Sequence, residues 1–177
     1  MKKLILLALA ATSLTAPATA EHHSMTKAEH DKMHKAHQAK LATILADPSR
    51  VEDSKRDKYR NPAQTFEFFR IHPDHKVGEY APGGEWISRI LGKYIEGQGK
   101  FTGLYFSGNA GFGTPEQAER TKVAAAKFGE DVAKVTGRPA TDYNGYTLDA
   151  IPEGEKGTFD RIIVMRMLHN MNRWNIA

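Results

Sequence analysis

Val77-Gly78-Glu79-Tyr80-Ala81-Pro82-Gly83-Gly84-Glu85-Trp86 decides the fold. An apolar run carries an acidic residue near its end, a Pro-Gly-Gly break follows, and a helical period resumes through Ile87, Ile90, Leu91 and Ile95. Lys76 to Tyr80 therefore reads as a strand and Glu85 to Glu96 as a helix. Glycines let a backbone approach a ligand, and a helix start presents unpaired N–H groups. A strand-turn-helix of this kind is where open α/β sheets bind nucleotide-like cofactors. The spacing matches neither the dinucleotide fingerprint nor a P-loop.

Working outward, Gly97 to Gly99 ends the helix and Lys100 to Phe106 is a second strand. Ser107 to Gly113 is a Gly-rich loop. Thr114-Pro115-Glu116-Gln117 opens a third helix by N-cap, proline and acidic first turn, and Gly137 with Pro139 closes it. Ala140 to Leu148 is a candidate third strand, Ile151 to Gly157 a turn-rich connection, and Phe159 to Leu168 an apolar fourth strand. Upstream, Thr26 and Glu29 form a capping-box signature for a helix to about Ala46, polar at its start and apolar at Leu41, Ile44 and Leu45. Ser49 to Arg60 is a short helix or a linker, with Arg56, Lys58 and Arg60 on a solvated face. Asn61-Pro62 caps the next helix, whose Phe66, Phe68 and Phe69 are expected in the core. Ile71 to His75 is a turn. Strands alternating with helices predict an α/β fold with three to four mostly parallel strands, preceded by an N-terminal helix.

The 177 residues carry a formal charge of +4 and no cysteine. The missing cysteines exclude disulfides, thiolate metal sites, Fe–S clusters and cysteine nucleophiles. No basic stripe with interleaved aromatics points to nucleic acid. Met1-Lys2-Lys3, an apolar Leu4 to Ala11 and the Ala18-Thr19-Ala20 end read as a secretory signal cleaved after Ala20. The apolar run is far shorter than the ~20 residues of a membrane span. The expected organisation is a signal at 1–20, a His/Lys-rich helical segment at 21–48 and an α/β domain at 49–177. The expected location is periplasmic or secreted, without stable membrane insertion after cleavage.

Arg56 to Phe69, Val77 to Trp86 and Arg166-Met167-Leu168-His169-Asn170 together resemble a family of secreted predicted methyltransferases. Its recurring segments are R-x-P-A-x-x-L-x-F-F, an acidic V-x-E-x-x-P-G-G-G-W and R-N-x-H-N-W, and the likeness spans roughly Ala46 to Asn170. The resemblance implies a Rossmann-like, class I fold that uses S-adenosylmethionine, here incomplete at its C-terminal side. It implies that Glu79 sits near the methionine amine. Pro82, Gly83 and Gly84 would line the carboxypropyl end, and Asn109 or Ser107 would stand in for the acid that holds the ribose. Arg166, His169 and Asn170 would lie beside the transferable methyl or its acceptor, with His169 as the candidate base. The sequence departs from the pattern at Glu85, Met167 and Met171, and no carboxylate follows the second strand. The expected function is an exported methyltransferase. The alternatives are a non-catalytic relative that binds a small ligand or partner, or a metal-binding protein.

The metal-binding alternative rests on histidines. His30, His34 and His37 fall on one helical face, where imidazoles a turn apart can share a metal. Their bland alternative is a solvated face. His72 and His75, flanking Pro73-Asp74, are expected as exposed turn residues, with a role as ligands the alternative. Trp86 is expected to serve helix packing. Neither G-x-S-x-G nor H-E-x-x-H occurs, so the hydrolase readings lack support.

Overall fold

The computed structural model describes residues 25–83, 86–106 and 114–173, with the side chain of Arg173 left aside. The proposed signal, Gly84, Glu85 and the Ser107 to Gly113 loop, including Asn109, lie outside them.

Capping chemistry sets the long helices. α1 spans Lys27–Leu45, and Thr26 and Glu29 form the expected capping box. Its inward stripe ends on buried Leu41 and Ile44. A 3-10 turn over Pro48–Arg50 leads to two one-turn helices, α2 at Val51–Ser54 and α3 at Asp57–Arg60. α4 covers Pro62–Phe68 with Pro62 at its first turn. Asn61 corrects the expected side-chain cap: it makes no such bond and stands left-handed at φ 44°, closing α3 as it opens α4.

β1 (Lys76–Tyr80), α5 (Trp86–Tyr94) and β2 (Lys100–Tyr105) follow where the sequence predicts them. α6 (Pro115–Thr136) starts with a Thr114–Gln117 capping box and ends at left-handed Gly137. β3 (Tyr143–Thr147) is shorter than expected because 3-10 geometry takes Ala140–Asp142. The largest boundary correction is β4. The apolar run Phe159 to Leu168 yields only Arg161–Ile163 as strand, and Leu168–Arg173 is helix α7. The ladder to β1 ends at Ile163, and the chain turns left-handed at Arg166, φ 59°, before α7.

The four strands form one parallel sheet in the order β3-β2-β1-β4. Val77 pairs with Phe101 on one side and Arg161 on the other, and Phe101 pairs with Tyr143. The fold is thus α/β, an all-parallel sheet flanked by helices in a Rossmann-like arrangement. α6 lies hard on the sheet. A Cβ on Gly103 would come 2.7 Å from the Phe128 ring, and one on Gly145 would come 2.0 Å from the Ala125 carbonyl oxygen. Small residues here admit the helix.

Trp86, Ile90, Leu91, Tyr94, Ile95, Val77, Phe101 and Phe128 fill the core between sheet and helices. α1 extends it through Leu41 and Ile44. Of the three phenylalanines expected inside, only Phe66 is buried; Phe68 and Phe69 are 81% and 42% exposed. A seven-residue helix has room for one inward stripe, and Phe66 takes it. No helix among the described residues is long and apolar enough to cross a membrane.

Candidate functional site

The strand order contains a switch point. From β1 the chain steps to β2 and β3 on one side, then crosses to β4 on the other. The switch point lies between β1 and β4. Open α/β sheets bind ligands outside the carboxyl ends of the strands at such a point.

Four features of β1 and its turn lie there. Glu79 is 3% exposed and accepts a 2.6 Å hydrogen bond from the Ser88 hydroxyl of α5. A buried carboxylate needs such partners, because desolvation of an ionised group is costly. Tyr80 is buried, its ring packs edge-on to Phe106 at 5.4 Å, and its hydroxyl has no hydrogen-bond partner. Burial pushes the Tyr80 phenol above its usual range. Ala81 stands left-handed at φ 51°, held by its N–H donating to the Leu104 carbonyl at 2.7 Å. Among the described residues, a Cβ on Gly83 would meet only the Ala81 carbonyl oxygen, at 3.6 Å. A cavity of about 190 Å³ lies alongside, lined by Pro82, Ser88 and Tyr105 among others.

Left-handed backbone at a non-glycine residue costs on the order of 1–2 kcal/mol. Ala81 beyond β1 and Arg166 beyond β4 both adopt it, as Asn61 and Arg70 do away from the switch point.

The third expected segment is arranged differently from the sequence picture. Arg166 is exposed, and His169 and Asn170 lie on α7 rather than at a strand end. His169 is exposed; the Asn170 amide donates to the Met167 sulfur at 3.5 Å. Sequence reading missed Ser88, whose signal is a lone hydroxyl on the apolar face of α5.

Trp86 packs as expected and its indole N–H donates to Asp57 at 2.9 Å. Asp57 in turn takes both terminal nitrogens of buried Arg50, at 3.1 and 3.0 Å. Arg60 stacks over the Trp86 ring at 4.9 Å. Arg60 is therefore half-buried, while Arg56 and Lys58 are on the solvated face.

His72 and His75 are half-buried, which corrects the exposed turn residues expected there. His34 and His37 are half-buried as well, and only His30 of the helical trio is fully exposed. Comparison with protein-family models, curated proteins and solved structures finds no match.

Proposed function

We propose that the chain is a methyltransferase-type protein that binds S-adenosylmethionine at the carboxyl ends of β1 and β4. The observation that carries this reading is the parallel order β3-β2-β1-β4, whose switch point falls on the Glu79-to-Gly83 turn. The resemblance of that turn to the methyltransferase motif gives the cofactor class.

The residues present suit the group. Glu79 offers a buried carboxylate to an ammonium. Gly83 leaves room for the carboxypropyl end. Bound cofactor would supply a methyl on a sulfonium, open to in-line attack by a nucleophile. The protein's part is proximity and orientation. Arg166, Asn170 and the exposed His169 would border the acceptor, with His169 taking the acceptor's proton.

A non-catalytic ligand-binding protein is the second reading. β2 ends in Tyr105 and Phe106, with no acid there to hold ribose hydroxyls.

Calorimetric titration of the full chain with S-adenosylmethionine tests the proposal. Glu79→Gln removes a charge-assisted contact and is expected to weaken binding by about tenfold or more. Gly83→Val fills the open space and is expected to do the same, while the fold, read by circular dichroism, stays intact. Equal affinity in both variants and the wild type would overturn the site. Tight binding with no methyl transfer to any acceptor would select the second reading.

A further inference from the structure

A larger cleft, of about 760 Å³, lies at the opposite end of β1, between α1, α4 and the turn that feeds the strand. Histidines line it from two directions. His34 and His37 reach it from α1, with His30 at its exposed rim, and His72 and His75 reach it from the turn.

The docking of α1 explains the convergence. Leu41 and Ile44 anchor the helix in the core, and the same stripe one and two turns earlier carries His37 and His34 over the turn. The His37 and His72 ring centres are 5.0 Å apart, and those of His72 and His75 are 4.5 Å apart in a near-parallel stack. One ligand atom from each of His72, Asp74 and His75 lies within 4.8 Å of the other two.

We propose that His72, Asp74 and His75, completed by His37 from α1, bind a divalent first-row transition metal such as zinc. Metal–nitrogen bonds of about 2.0–2.1 Å put tetrahedral ligands about 3.3 Å apart, so small side-chain rotations close the set. The donors, imidazole and carboxylate, suit zinc, copper or nickel rather than calcium or magnesium.

The turn is braced. The Pro73 carbonyl accepts from Glu96 N–H at 2.8 Å, and the His75 carbonyl accepts from Lys100 N–H at 3.1 Å. His75 Nδ1 accepts a long 3.3 Å bond from the His72 N–H, a lone pair that a metal can take over. Burial, with the neighbouring imidazoles, holds His37 and His72 below the usual histidine range, against the opposing effect of the Asp74 carboxylate. Of the cations around the cleft, Lys40 pairs with Glu96 and Arg161 donates to the Phe69 and Asp160 carbonyls, while Arg70 also lines it. The metal would pin α1 to the start of β1. Five residues of strand, about 16 Å, separate this cleft from the switch point. The two sites therefore stand or fall separately.

The test titrates zinc into the metal-free full chain, with cobalt absorption as a second readout. The wild type is expected to take up one equivalent and to melt at a higher temperature when loaded. His72→Gln/His75→Gln is expected to lose at least about tenfold in affinity, and His37→Gln a smaller factor, while their metal-free melting matches the wild type. His72→Asn/His75→Asn repeats the result should the glutamines disturb the fold. A variant replacing His22 and His23 of the His/Lys-rich segment together with the rim residue His30, which keeps His37, His72, Asp74 and His75, is expected to bind as the wild type does. Absence of binding, or binding that survives the His72/His75 changes and is lost with His22, His23 and His30, would overturn the proposal.

Discussion

At the scale of single residues, Ala81 links strain to site most directly. Its left-handed backbone is imposed by the ladder bond to Leu104 and by the need to turn sharply out of β1. Glycine relieves the strain but adds freedom to the unfolded chain, an offset of about 0.4–1 kcal/mol. Ala81→Gly is therefore expected to raise stability by up to about 1 kcal/mol, and Ala81→Val to lower it by about 1–2 kcal/mol. Urea unfolding at unchanged slope reads both. A destabilised glycine variant would show that the turn is not strained. Glu79 and Gly83 were legible from the motif alone, because a carboxylate at a strand end before glycines has few structural uses. Tyr80's unpartnered hydroxyl was not, since only the packed sheet shows what its ring buries and what its oxygen lacks.

Among the elements, the polar stretch between α1 and α4 has the least expected role. A linker was one reading of Ser49 to Arg60, yet it clamps α5. Asp53 takes the Arg89 guanidinium in two bonds of 2.6 Å, Asp57 joins Arg50 to Trp86, and Asp47 pairs with Lys93. These contacts position the helix whose first turn follows the glycine break. The Arg89 contact holds the Asp53 carboxyl below the usual carboxylate range, against the opposing effect of burial. A carboxylate lowered in the folded state contributes stability above its unfolded value, and that contribution is lost as pH falls through the folded one. Melting of the wild type is expected to fall between about pH 5 and pH 2, with a shallower fall in Asp53→Asn over the same window. Parallel pH curves would mean the pair adds nothing to folding. Capping boxes made α1 and α6 legible to within a residue. The charge clamps and the histidine cleft were not legible, because both depend on where separate segments dock.

For the molecule as a whole, the order β3-β2-β1-β4 joins sequence to function. Strands alternating with helices were legible, since a strand buried on both faces reads as an apolar run bounded by glycine. Strand order was not, because a run of four strands can be threaded in several ways. β4 shows the limit at the edge of the sheet. Its apolar run predicts ten residues of strand, but pairing with β1 needs only three, and Ile162 is half exposed there. The order puts the switch point at the carboxyl end of β1, and the histidine cleft lies at the other end. Amide chemical-shift mapping of the full chain during a titration with S-adenosylmethionine tests this arrangement most directly. Shifts are expected to concentrate at Glu79 to Gly83 and around Arg166 to Asn170, with the His72 to His75 turn unmoved. Shifts confined to the histidine turn, or none at saturating cofactor, would contradict it.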